Sequence, residues 1–177
     1  MDIVSHIIIG KIISFFDKKT KKAGLWAMLF SFLPDLFQLP AYIYLGYINN
    51  RMFLIPKNID WEHTRNLYPF LHAFTWEIPH SIFFLLLIVL PLIIFLKLPK
   101  IALFAYLFHI VIDIPTHAGE WAIKPFYPVN YTINGITNAW AWPVTAFFCS
   151  WIILLSITML LSFFFKKKLH DYPPNSN

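Results

Sequence analysis

Residues Ala141 to Phe165 carry no aspartate, glutamate, lysine or arginine across 25 positions. Wound as a helix, a run of that length covers the roughly 30 Å hydrocarbon core of a bilayer. In lipid every backbone N–H and C=O must be satisfied by the chain itself, so the run has to be helical. The remainder agrees: 58% of the 177 residues are hydrophobic and 13% are charged, against about 25% charge in a soluble domain. The expectation is an integral membrane protein whose first partner is the lipid bilayer. A formal net charge of +5 does not argue for a nucleic-acid partner, because the lysines stand in short clusters beside apolar runs, where they set topology. Cys149 is the one cysteine and lies inside the last apolar run, which excludes a disulfide framework and a thiolate metal site.

Five apolar segments can be drawn: about Ile3 to Phe16, Ala23 to Tyr47, Pro79 to Leu96, Leu98 to Ile114 and Trp140 to Phe165. Pro34 and Pro40 interrupt the second, Pro91 lies in the third, and Pro115 is expected to end the fourth, since its ring and missing N–H disfavour further helix. The fold class predicted is all-α, a polytopic membrane helix bundle of about five segments. It forms a single domain over residues 1–168, followed by a polar, disordered-looking tail at 169–177. The N-terminal run lacks a cationic leader and reads as part of the mature protein. Lys18, Lys19, Lys21, Lys22, Lys97, Lys100 and Lys166 to Lys168 all fall at one end of a five-pass path, which the positive-inside rule makes cytoplasmic, giving N-out and C-in. The other end receives two longer loops, about Ile48 to Ile78 and Thr116 to Ala139. Their Trp61, Tyr68, Trp76, Trp121, Tyr127 and Tyr131 suit a membrane interface.

Ionisable groups at membrane depth are costly unless they pair, line a cavity or hold a metal, so each is a candidate functional residue. His109 and Asp113 stand four apart in an otherwise apolar stretch, a spacing that stacks both on one helical face. On the alternating path His6 opens the first segment, Asp35 lies late in the second, His80 opens the third, and His109 with Asp113 closes the fourth. All five converge on one end, as ligands do in helix-bundle metal sites. Imidazole and carboxylate donors suit zinc, with manganese as the other candidate among divalent ions. His117 and Glu120 follow as candidate catalytic proton carriers. His72, Lys124 and Arg65 are further candidates in the loops, and His63 and His170 read as surface residues.

Ser5-His6, Leu33-Pro34-Asp35, Pro79-His80-Ser81 and His109-x-x-x-Asp113 followed by Thr116, Gly119 and Pro125 resemble the inner-membrane-associated, LexA-regulated metal-dependent hydrolases over roughly residues 5 to 128. That family's pattern is in turn similar to the ligand order of zinc-dependent phospholipase C. The resemblance implies metal-ligand roles for His6, Asp35, His80, His109 and Asp113, and a multi-pass protein of the bacterial inner membrane. Two positions depart from it. Phe37 stands where the family has a second aspartate, and Thr75-Trp76-Glu77 replaces a His-Arg-Gly, leaving His72, a helical turn or so away, as the substitute histidine.

The activity expected is metal-activated hydrolysis of an ester or phosphoester, a small molecule or a lipid, at the outer membrane–water interface. Two other classes use the same residues: a metal or proton transporter, and a non-catalytic membrane scaffold. The transporter reading is the weaker, because the ligands gather at one end and form no chain toward the lysine-rich side.

Overall fold

The computed structural model describes residues 2–17, 22–51, 59–62 and 69–171, with side chains as far as Phe165. Among these residues the protein is all-helical, with an isolated bridge between Ile123 and Ile133 in place of any strand. Helix α1 spans Ile3–Ser14, α2 Ala23–Leu36 and α3 Leu39–Ile48. Helix α4 spans Pro69–Glu77 and α5 Ile82–Phe95, each with a π-helical stretch. Helices α6, Lys100–Thr116, and α7, Val144–Asp171, complete the set.

Small residues set how closely these helices approach. A methyl group on Gly10 of α1 would stand 2.6 Å from the Ala27 carbonyl oxygen and 2.7 Å from Met28 Cα, so α1 and α2 cross at a separation that only glycine permits. Ala27, Ala102 and Ala105, fully buried, do the same between α2 and α6. Tyr106, Ile110 and Leu45 fill the space beside them. Helix α7 packs mainly on α1, through Phe165 stacked on Phe15 at 5.6 Å and the Trp151 indole donating to Asp2 Oδ1 at 2.9 Å. Its remaining surface is apolar and exposed.

Two breaks bend the chain where proline predicts them. Pro40 has no N–H for the Leu36 carbonyl, and α2 and α3 meet at 42°. Pro79 likewise withholds a donor from Thr75, and α4 and α5 meet at 63° across residues 78–81. The second break is held from three sides. Ser81 caps α5 by accepting from Phe84 N at 3.0 Å, Tyr106 of α6 donates its hydroxyl to the Pro79 carbonyl at 2.7 Å, and Ile82 N donates to Pro125 O at 2.7 Å.

Several expectations need correction. The third segment begins at Ile82, not Pro79, and Pro69–Glu77 is helical where the sequence suggests a loop. Pro115 lies inside α6. The helix runs on to Thr116 because its last carbonyls find partners elsewhere: Pro115 O accepts from Ile136 N at 2.9 Å and Asp113 O from the His117 ring at 3.0 Å. Helix α7 continues through Lys166 to Asp171, into the stretch read as a tail. Trp61, Trp76 and Trp121 are 3–5% exposed and pack with Trp140 into a buried indole cluster, with ring separations of 5.0–5.8 Å along Trp76, Trp121, Trp140 and between Trp61 and Trp121. Tyr131 is exposed, and Tyr68 lies outside the described residues. By length and composition Val144–Phe165 can cross a membrane alone, and each bent pair, α2 with α3 and α4 with α5, passes the same test if it counts as one span. Helices α1, with 12 residues, and α6, with 17, are shorter.

Candidate metal centre

Four elements deliver the five expected ligands to one buried point. Asp2 caps α1 by accepting from Ser5 N at 3.0 Å and Ser5 Oγ at 2.6 Å, which sets His6 in the first turn, facing inward and fully buried. Asp35 ends α2 just before its bend, with an 11% exposed side chain. His80 sits in the held break between α4 and α5, and His109 and Asp113 share the inner face of α6. His6, Asp35, His109 and Asp113 each place a donor atom within 4.8 Å of the others. His80 Nε2 joins them, 3.1 Å from His109 Nε2, 3.6 Å from Asp113 Oδ2 and 3.7 Å from Asp35 Oδ1.

The two carboxylates divide their oxygens in the same way. Asp113 Oδ1 lies 3.1 Å from His6 Nε2 while its Oδ2 lies 3.2 Å from His109 Nε2. Asp35 Oδ2 lies 3.8 Å from His6 Nε2 while its Oδ1 lies 3.8 Å from His109 Nε2. Ligands bound tetrahedrally at about 2.1 Å stand about 3.4 Å from one another, so separations of 3.1–3.8 Å are compatible with atoms sharing an ion.

Tautomers sharpen this. A backbone carbonyl only accepts, so His80 Nδ1 donates to Trp76 O and His109 Nδ1 donates to Ser31 O, each at 2.7 Å. With both rings neutral, that leaves two bare Nε2 lone pairs turned on each other at 3.1 Å, the arrangement outer-shell carbonyls impose on metal-ligating histidines. Neither ring nitrogen of His6 makes a hydrogen bond despite complete burial, and Asp35 Oδ2 makes none. Buried acceptors normally find donors. A cluster of facing lone pairs and carboxylate oxygens is a donor set for a cation, and the residues present fit a divalent ion.

Ser31, unremarked in the sequence, ties the centre together. Its carbonyl orients His109 while its hydroxyl donates to the His6 carbonyl at 2.6 Å. A backbone acceptor leaves no residue-type signature, and the same holds for the Trp76 carbonyl. Gln38 did carry a signal, as an amide three residues beyond Asp35 in an apolar run; it is buried with Nε2 unpartnered.

The remaining candidates separate clearly. His117 is buried beside the centre, with Nδ1 3.0 Å from Asp113 O and 3.7 Å from Asp113 Oδ1, its ring 4.9 Å from Trp76. Burial pushes its pKa down to about 4, which leaves the ring neutral, with Nδ1–H donated to the Asp113 carbonyl and Nε2 as an acceptor. Glu120 is exposed on the turn at Gly119–Trp121. His72 packs edge-on against Trp121 at 5.8 Å and does not replace the histidine absent at Thr75, whose hydroxyl is spent on Leu71 O at 2.8 Å. Phe37 packs edge-on against Phe74 and Phe84 at 6.4 and 5.5 Å, so the second aspartate of the resembled pattern is a packing residue here. Lys124 pairs with Glu77 at 2.5 Å, fastening the second loop to α4. Arg65 and His63 lie outside the described residues, as does the His170 side chain.

A cavity of about 490 Å³ adjoins the centre, with Asp35 and His117 in its wall. Comparison with known protein families, with curated proteins and with solved structures found no match to this chain.

Proposed function

We propose that the protein is a multi-pass membrane hydrolase that uses a divalent metal, most suitably zinc, to cleave an ester or phosphoester at the membrane–water interface. The observation that carries the reading is the pair of bare Nε2 atoms of His80 and His109 at 3.1 Å, flanked by two carboxylates and by His6 with neither nitrogen bonded. One proton could bridge one pair of these atoms but could not satisfy them all. A divalent ion held there would supply Lewis acidity and lower the pKa of water toward about 7.

The chain's own residues do the rest. His6, Asp35, His80, His109 and Asp113 would hold the ion. Neutral His117 stands beside Asp113 and in the cavity wall, placed to take a proton from water and return it to a leaving group. The indole cluster around Trp76 and Trp121 keeps bulk water from the buried side. The motif order shared with the LexA-regulated hydrolases supports the reaction class, and the lysine clusters support N-out and C-in with the bent helix pairs counted as spans.

The test is elemental analysis of detergent-purified protein, wild type beside His109→Ala, together with hydrolysis of phospholipids, phosphomonoesters and carboxylic esters with and without chelator. At least one equivalent of zinc or manganese is expected in the wild type, lost in the variant, with chelator-sensitive hydrolysis. A second equivalent would mean that Asp35 and Asp113 bridge two ions. A metal-free wild type inert toward all three substrate classes overturns the reading in favour of a scaffold, and vectorial metal uptake into liposomes without hydrolysis overturns it in favour of a transporter.

A further inference from the structure

The cavity beside the centre is of the size that binds small organic molecules, and its wall is uneven in a way that describes its occupant. Phe147 and Trp151 of α7, with Leu39 and Tyr42 of α3, make most of it apolar. Its rim is open, since the lining residues Ile3, Val4 and Leu39 are 38–47% exposed. The rim lies where α1 faces α7, the helix whose outer surface is apolar and uncovered.

Asp2, Asp35 and His117 make the polar part of the lining, and two further polar groups, on Gln38 and Trp140, have no partner there. Gln38 is 5% exposed and its Nε2 has no hydrogen-bond partner; the Trp140 Nε1, itself buried, has none either. Both residues line the cavity. Both atoms are N–H donors, and a buried donor left without an acceptor costs the protein its full desolvation penalty. Donors have no use for a metal ion, so they do not belong to the ligand set. They complement an oxygen that arrives with the ligand.

We infer that Gln38 and Trp140 form an oxyanion-binding subsite for an amphiphilic substrate, an oxoacid ester whose charged oxygen meets these two donors while its hydrocarbon chain lies along Phe147, Trp151 and Leu39 toward the lipid side. The inference rests on the hydrolase reading and deepens it by naming the substrate class. It makes Gln38 and Trp140 specificity-determining residues, which hold the head group beside the metal. A hydrogen bond to a charged oxygen is worth enough that its loss lowers affinity about tenfold or more. Each methylene taken from water into the apolar wall raises affinity about fourfold.

The experiment is calorimetric titration of the zinc-supplied full-length protein in nanodiscs with methyl-, butyl- and octylphosphonate, against empty nanodiscs as blank. Zinc content and hydrolysis are measured on the same preparations. Affinity is expected to climb along the series. Gln38→Leu and Trp140→Phe are each expected to lower octylphosphonate affinity about tenfold at unchanged zinc content, and Gln38→Glu to lower it further by charge repulsion. His72→Ala serves as the unaffected control. Equal affinity along the series, or wild-type affinity in all three variants with zinc retained, overturns the subsite and leaves the hydrolase reading standing. Octylphosphonate binding that depends on chain length and on both donors, in a protein that holds no metal and hydrolyses nothing, supports the subsite and removes the hydrolase reading.

Discussion

Replacing Asp35 by asparagine should raise the stability of the metal-free protein and abolish most of the stabilisation by metal, a reversal of sign that distinguishes a metal centre from a structural ion pair. In the apo protein the Asp35 and Asp113 carboxylates place donor atoms within 4.8 Å of each other, inside an interior where unit charges at that distance repel by about 3 kcal/mol at an effective dielectric of about 20. Asparagine keeps the shape and removes that repulsion. Partial solvent relief at a side chain that is 11% exposed reduces the gain to about 1–2 kcal/mol. With zinc at about 100 times the wild-type Kd the wild type gains about 2.7 kcal/mol. For a chain of this size that is a rise of about 8 °C in Tm. The variant, lacking one anionic ligand, should gain less than half as much at the same zinc concentration. Thermal unfolding followed by tryptophan fluorescence in detergent, in chelator and in zinc, measures both arms. A variant less stable than wild type in chelator by more than about 1 kcal/mol would show that Asp35 is held by histidinium partners. Equal zinc-induced shifts in the two proteins would remove Asp35 from the ligand set.

Other predictions concern how the site is built and used. His109→Ala and Asp113→Asn should each abolish metal-dependent hydrolysis with helicity retained, and the double variant should match either single one, because ligands of one ion act as a unit; additive losses measured in kcat/KM would refute the shared site. Gly10→Ala forces a methyl against the Ala27 carbonyl and Met28, so it should cost about 1–3 kcal/mol in unfolding and weaken zinc binding through His6, one turn away. Tyr106→Phe leaves the Pro79 carbonyl without its donor and should cost about 1–3 kcal/mol; zinc affinity unchanged by competition titration would show that the break holds His80 without Tyr106. In a Cys149→Ser background, Lys124→Cys should react with an impermeant thiol reagent from outside and Tyr172→Cys should not; the reverse pattern would overturn the orientation.

The candidate ligands were readable from sequence because such residues are expensive in an apolar run. A histidine or aspartate in an apolar run has few reasons to be there, and the alternation of helix direction collects His6, Asp35, His80, His109 and Asp113 at one end whatever the exact boundaries. What holds them was far less readable. His80 rests in a break fixed by the Tyr106 hydroxyl, the Ser81 cap and the Pro125 carbonyl, contacts between residues 27 to 43 positions apart except for the cap, with no local pattern. The π-helical stretch at Ala73–Glu77 leaves no periodicity that a loop assignment would have violated. The indoles misled for a related reason: a tryptophan in a loop suits both an interface and a lid, and only tertiary packing of Trp61, Trp76 and Trp121 on one another selects burial. Proline was read too strictly at Pro115, where loop donors from Ile136 and Thr137 satisfy a carbonyl at the helix end and let the helix outlast it.

Asp2 receives three hydrogen bonds on one short side chain: from Ser5 N and Ser5 Oγ within its own helix, and from the Trp151 indole of α7. The first two orient the turn that carries His6, and the third is the polar tie between that turn and a helix long and apolar enough to cross a membrane. The same carboxylate forms part of the cavity wall. A tilt or slide of α7, whether driven by bilayer thickness or by a chain wedged along Phe147 and Trp151, would therefore pull on the residue that sets His6, the first of the candidate ligands. If the centre holds an ion in a bilayer, membrane mechanics and metal affinity are coupled through a single aspartate, and metal affinity should vary with the lipid in which it is measured.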